Sequence, residues 1–196
     1  MEKPILLINA CVRKASRTKR LADAFIKRLD RPVEEVRLDA IRFPVVDEGF
    51  LALRDRLITA EDWDDPRFDL ARQFAQAESI VIAAPYWDLS FPAALKQYFE
   101  QINVLGITFR YTESGVPVGL CKAKRLYVVA TAGGCYVPEA FGFGYIQALA
   151  RNFYGIADVR LIQAVGLDVE GADVEAILRS AEESINGMDL DGAPPL

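Results

Sequence analysis

Residues 4–20, PILLINACVRKASRTKR, pass from an apolar run through a basic polar loop into an amphipathic pattern. Pro4 to Ile8 has the pattern of a strand buried on both faces. From Arg17 onward Leu21, Ala22, Phe25, Ile26 and Leu29 recur at helical spacing, and Ser16 stands where an N-cap belongs. The segment therefore predicts strand, loop, helix. Such a loop gathers backbone N–H groups, the hydroxyls of Ser16 and Thr18 and the positive end of a helix at one point, which attracts a phosphate. Between Asn9 and Arg20 the charged residues are Arg13, Lys14, Arg17, Lys19 and Arg20, all positive, in a chain whose net charge is -5. A solvated loop ahead of an ordinary capped helix is the competing reading, and what else converges on the loop decides between them.

Further strands are expected at Val33 to Leu38, Ser79 to Ala84, Leu126 to Ala130 and Val159 to Val165, each short, aliphatic and bounded by turn or helix signals. Helical patterns separate them, most clearly at 66–77, 92–102, 138–153 and 174–185. This alternation predicts an α/β fold: a doubly wound five-stranded parallel sheet with helices on both faces and right-handed crossovers, in the order 2-1-3-4-5. Residues 39–65 are long and mixed and read as a surface excursion, a lid or a partner contact. With 196 residues, 52% of them hydrophobic, the chain suits one domain with a sizeable core, taken as 1–187. The end, GMDLDGAPPL, lacks periodicity, so 188–196 is expected to be a loose tail or an exchanged arm.

The acidic balance argues against a nucleic-acid partner, whose phosphates need a basic face larger than one local cluster. No apolar run approaches the ~20 residues of a membrane helix, and the N-terminus enters a strand without a signal-peptide pattern, so a soluble cytoplasmic protein is expected. Cys11, Cys121 and Cys135 form no disulfide framework or metal spacing. The sequence contains no histidine. A zinc site would lack its commonest ligand, and a Ser-His-Asp triad is impossible. The expected metal complement is none.

In an open parallel sheet, ligands bind outside the carboxyl ends of the strands where the strand order reverses. That rule joins three loops: Ala10 to Thr18, APYWDLSFP after the third strand, and ATAGGCY after the fourth. Gly133 and Gly134 let backbone approach a flat ligand closely, and Tyr86, Trp87 and Leu89 offer planar and apolar surface. A phosphate subsite beside an aromatic wall and a glycine floor suggests a mononucleotide with a large ring.

The run APYWDLSFPAALKQYFEQINVLGITFRYTESG, followed by GLCKAKRLYVVATAGG, resembles the FMN-dependent NAD(P)H quinone reductases and azoreductases of the flavodoxin-like superfamily. The specific elements are P-Y-W-x-x-x-x-P-x-x-L-K at 85–96, T-F-x-Y-T at 108–112 and the T-A-G-G turn. The resemblance implies bound FMN, with NADH or NADPH as co-substrate and a quinone, azo or nitroaromatic acceptor. Ser16, Arg17 and Thr18 would hold the phosphate, with Cys11 near the ribityl chain. Pro85, Tyr86, Trp87, Asp88 and Leu89 would lie along the isoalloxazine, and Thr131, Ala132, Gly133 and Gly134 would meet its pyrimidine side. It also implies a homodimer, the acceptor pocket lying at the interface and lined by Phe109, Tyr111 and Tyr136. Asp88 stands where many relatives have Asn, and its carboxylate would oppose an anionic reduced flavin unless it points away. The histidine that some relatives keep near the flavin is missing.

Two other functions fit parts of the chain. Residues 11–18, CVRKASRT, satisfy C-x5-R-[ST], the signature of cysteine-dependent low-molecular-weight phosphatases, with Cys11 as nucleophile and Arg17 as oxyanion clamp. A flavodoxin-type electron carrier fits the fold and the acidity but leaves the long segment from Gly106 to Leu120 unexplained.

Overall fold

Every residue of β1 (Ile5–Asn9) is buried, as a strand covered on both faces must be. The computed structural model describes residues 3–190 and 192. β1 pairs in parallel with β2 (Val33–Arg37) and with β3 (Ser79–Ala83). β3 then pairs with β6 (Arg125–Thr131), and β6 with β7 (Asp158–Ala164), giving the order β2-β1-β3-β6-β7. Counted among the parallel strands alone, this is the expected 2-1-3-4-5. Only Val36 of β2 is buried, and the charges of Glu34, Glu35 and Arg37 suit an edge strand.

Alternation along each strand splits the core in two. Ile5, Leu7, Val81, Ala83, Val129 and Ile162 face α1 (Arg17–Leu29) and α6 (Val174–Asn186), which bring Leu21, Phe25, Leu178 and Ile185. Leu6, Ile8, Ile80, Ile82 and Val128 face the other side. There they meet Phe74 of α3 (Asp69–Gln76), Leu95, Tyr98 and Phe99 of α4 (Ala93–Ile102), and Ile146 of α5 (Phe143–Leu149).

Two segments differ from the sequence reading. The stretch from Gly106 to Leu120 is not a plain loop: β4 (Phe109–Tyr111) and β5 (Pro117–Gly119) form an antiparallel hairpin. Its tip turns at Gly115, φ 79°. The continuous helix expected over 138–153 is broken at Gly142 (φ -103°, ψ -90°), so Glu139–Phe141 is a separate 3-10 turn and Ala150–Tyr154 a π-helical one. Residues 39–65, the expected surface excursion, contain α2 (Glu48–Thr59), which has no fully buried side chain but packs Leu57 and Ile58 against the core. Trp63 anchors the end of this excursion by packing on Gly106, where an added Cβ would lie 2.5 Å from the indole.

The C-terminal residues 191 and 193–196 lie outside the described ones. Of the rest, Met188 and Leu190 pack against the α1/α6 side of the core, so this part of the expected loose tail is docked. Arg160, on β7, donates to the carbonyls of Asp189 and Gly192. Arg160 also forks onto Asp158 (2.8 and 3.0 Å), and Arg125 reaches the same carboxylate at 2.6 Å. Burial alone would raise the Asp158 pKa. The bonds from Arg160 and Arg125 outweigh it and hold that carboxyl below its ordinary 3.8.

Candidate functional site

A cleft of ≈ 320 Å³ opens at the carboxyl ends of the parallel strands, where the order reverses between β1 and β3. It gathers Val12, Arg13, Ala15, Ser16, Arg17 and Thr18 from the first loop, Pro85, Tyr86 and Trp87 from the second, and Thr131, Ala132 and Gly133 from the third. A fourth loop, after β7, adds Leu167 and Asp168. The three loops singled out from sequence therefore meet at one cleft.

At one end the cleft is cationic. Ser16 caps α1, its Oγ accepting from the Lys19 amide at 3.2 Å. The amides of Arg17 and Thr18 begin the helix, so helical geometry supplies them no partner and they point toward an incoming ligand. Arg17 and Arg13 bring guanidinium groups to the same end. The Thr18 hydroxyl is buried in a 2.6 Å hydrogen bond with that of Thr131, which ties the first loop to the third. Arg17 Nη1 bonds Asp168 Oδ1 at 2.6 Å and Leu167 O at 3.3 Å, tying the first loop to the fourth.

The other end is flat and aromatic. The amide of Tyr86 donates to Thr131 O at 2.9 Å, docking the second loop on the third. Trp87 and Ser90 exchange backbone hydrogen bonds of 3.0 and 2.8 Å around Asp88 and Leu89, whose φ angles are 51° and 66°. Two successive left-handed residues make this a type I′ turn, whose first position favours Asn or Asp and whose second favours Gly. That accounts for an acid at 88. The leucine at 89 holds a glycine's conformation, a strain of ~1–2 kcal/mol of the kind that collects at functional sites. Asp88 and Leu89 are exposed at the tip and do not line the cleft, so the carboxylate stays off its wall.

Gly133 lines the cleft because Asp168 crosses it: the Asp168 amide donates to Gly133 O at 2.9 Å, and an added Cβ would lie 2.2 Å from Asp168 Oδ2. Gly134 has nothing within 4 Å of its added Cβ and faces open space.

Several expected residues lie elsewhere. Cys11 is 6% exposed in the α1/α6 core, its thiol directed at Ala83 O (3.7 Å), and burial pushes its pKa up. A thiol buried in the core, with its pKa pushed up, is poorly placed to act as a phosphatase nucleophile, and that alternative is not favoured. Phe109 is also core: its ring meets Phe153 at 4.9 Å and Tyr111 at 5.5 Å, because β5, paired with β4, lies against the π-helical turn at Tyr154. Tyr111 and Tyr136 are 49% and 79% exposed and line no part of this cleft. Asp168, Leu167 and Val12 were not anticipated, although the strand-end rule that selected three loops points equally to the one after the last strand.

A family model for the flavodoxin-like fold matches residues 3–187. A protein of Clostridium acetobutylicum named FMN-dependent NADH:quinone oxidoreductase 2 is 40% identical over 188 residues, covering 89% of this chain and 91% of that one. One of Clostridium beijerinckii, named FMN-dependent NADH:quinone oxidoreductase, is 36% identical over 88% of this chain and 90% of its own. Among solved structures, the azoreductase from Bacillus anthracis str. Sterne superposes with a TM-score of 0.80 at 23% identity, over 95% of this chain and all of that one. An FMN-dependent NADH-azoreductase from the Ames Ancestor strain, in complex with FMN, gives 0.80 at 24% over 95% and 97%. These two likenesses concern the fold. The chain belongs to the flavodoxin-like family that includes the FMN-dependent NADH:quinone oxidoreductases.

Proposed function

We propose that the protein is an FMN-dependent oxidoreductase that passes two electrons from NADH, or NADPH, to quinone, azo or nitroaromatic acceptors, as a cytoplasmic homodimer. The observation that carries this reading is a single cleft that is cationic at the α1 N-terminus and aromatic and glycine-floored at the other end. A ligand filling it needs an anionic head and a flat body, and FMN has both.

The residues fit that group. The Arg17 and Thr18 amides, Ser16 and the Arg17 guanidinium would hold the phosphate, while Tyr86, Trp87 and the turn from Thr131 to Gly134 would hold the ring. When bound, FMN supplies the hydride chemistry between nicotinamide and acceptor. The chain's work is to orient the ring, exclude water from its covered side and present backbone N–H groups where negative charge develops. No imidazole can hold a proton here, since the chain has no histidine. Tyr86 and Tyr136 are neighbours, and burial first, then Tyr136, pushes the Tyr86 phenol up, so at neutral pH it is a hydrogen-bond donor. Tyr111, exposed on the β4–β5 hairpin, suits a residue that completes the acceptor pocket across a two-fold interface. Among the described residues no helix is long and apolar enough to cross a membrane.

The test is to release the cofactor from purified protein by heat and identify it by chromatography, then to follow NADH oxidation with and without benzoquinone. FMN in equimolar amount, with acceptor-dependent NADH oxidation, is the expected result. FAD, or no flavin after incubation with excess FMN, rejects the reading; FMN without acceptor-dependent turnover would favour an electron carrier.

A further inference from the structure

Asp168 lies where a phosphate ligand would feel it. Its Oδ1 bonds Arg17 Nη1 at 2.6 Å, its amide is fixed to Gly133 O, and its carboxylate crosses the glycine floor so closely that no side chain fits at 133. Any phosphate reaching Arg17 therefore meets a carboxylate already bonded to the same guanidinium. We infer that Asp168 is a specificity-determining residue of the cleft: by competing for Arg17 it lowers the affinity for ligands that carry a phosphate, relative to the same ligands without one. This rests on the cofactor reading above. The pair is exposed, with side-chain accessibilities of 40% for Arg17 and 68% for Asp168, so water screens it and a phosphate can displace it. Asp168 thus keeps the cationic end occupied by a weak, exchangeable internal anion, which offsets part of the attraction of Arg17 and Arg13 for a phosphate.

The experiment titrates the full chain, freed of flavin, with FMN and with riboflavin, following the quenching of flavin fluorescence. Asp168→Asn keeps the size of the side chain and removes its charge. FMN should bind about threefold to fivefold more tightly, the range of an exposed ion pair, while riboflavin affinity moves less than about twofold. In an Arg17→Gln background, Asp168→Asn should add less than about twofold, since the competition is for that guanidinium. Unchanged or weaker FMN binding overturns the inference. So does an equal gain for riboflavin, or its loss, since either makes Asp168 a shape element of the loop. Equal tightening in the Arg17→Gln background also overturns it, because Asp168 would then act on the phosphate directly. Wild-type protein that binds neither flavin rejects the cofactor reading itself; wild type that binds both, with Asp168→Asn unchanged, rejects this inference alone.

Discussion

The two ends of the parallel sheet each carry an arginine–aspartate pair, and the pairs behave as opposites. At the carboxyl end Arg17 meets Asp168 through one guanidinium nitrogen, with the arginine half-exposed and the carboxylate largely in water. At the amino end Arg160 forks onto Asp158 with side-chain exposures of 9% and 10%, and Arg125 shares the same carboxylate. The chemistry is the same; burial and the number of bonds differ. A screened single contact is cheap to exchange, so it can yield to a ligand. A desolvated carboxylate satisfied by two guanidinium groups cannot lose a partner without leaving buried charge unpaired. The cleft thus carries one exchangeable ion pair at one end of a scaffold whose other end is locked.

Removing the locked pair should produce the largest effect. Asp158→Ala is expected to cost about 3 kcal/mol of unfolding free energy, measured by urea denaturation, because Arg160 and Arg125 lose their common partner. The folded-state pKa of Asp158 is lowered, so its contribution is present above the unfolded value of 3.8 and disappears as the pH falls through the folded value. The gap between wild type and Asp158→Asn should accordingly narrow as the pH is taken below 3.8. An Asp158 variant as stable as wild type would erase the contrast between the two ends.

Arg17→Gln tests the other side. It should weaken FMN binding about tenfold, the loss of one charge-assisted contact, while unfolding free energy stays within about 0.5 kcal/mol of wild type. A large loss of stability would make Arg17 structural and the contrast false. Tyr111→Ala reaches beyond the cleft: kcat/KM for benzoquinone should fall about threefold to tenfold with FMN content unchanged, and a monomeric, fully active protein in sedimentation would contradict the interface role. The smallest effect is expected from Cys11→Ser, which should keep most NADH-dependent quinone reduction, since the buried thiol touches no part of the cleft.

The parallel sheet was legible because its strands are short aliphatic runs separated by helical patterns; periodicity marks the elements, and the preferred doubly wound topology supplies their order. The cleft was legible for a related reason: topology, not residue type, decides where strand ends meet. What escaped the sequence reading depended on facing surfaces. Phe109 and Tyr111 share one face of β4, their rings 5.5 Å apart, so that one is core and the other exposed depends on how far along the strand the packing on Phe153 reaches, which T-F-R-Y-T does not state. The alternation of that segment, with Gly115 at the tip, did carry a hairpin signal. Asp168 belongs to no motif in the sequence, and only the pairing of β7 with β6 brings its loop to Arg17. Gly142 and Gly144 were the available warning that the helix over 138–153 would break.

The distribution of thiols has a practical consequence. Cys11 is buried with its pKa pushed up, and burial pushes Cys121 up to about 12, whereas Cys135 is exposed next to Gly133 and Gly134 and close to Gly166. At neutral pH a maleimide dye should therefore attach at a single position, with no engineered cysteine and no residue removed. That position sits at the rim of the cleft, on the turn that contacts the loop of Asp168. A fluorophore there would make the natural chain its own sensor, its emission reporting the arrival of a ligand and the movement of that loop in real time.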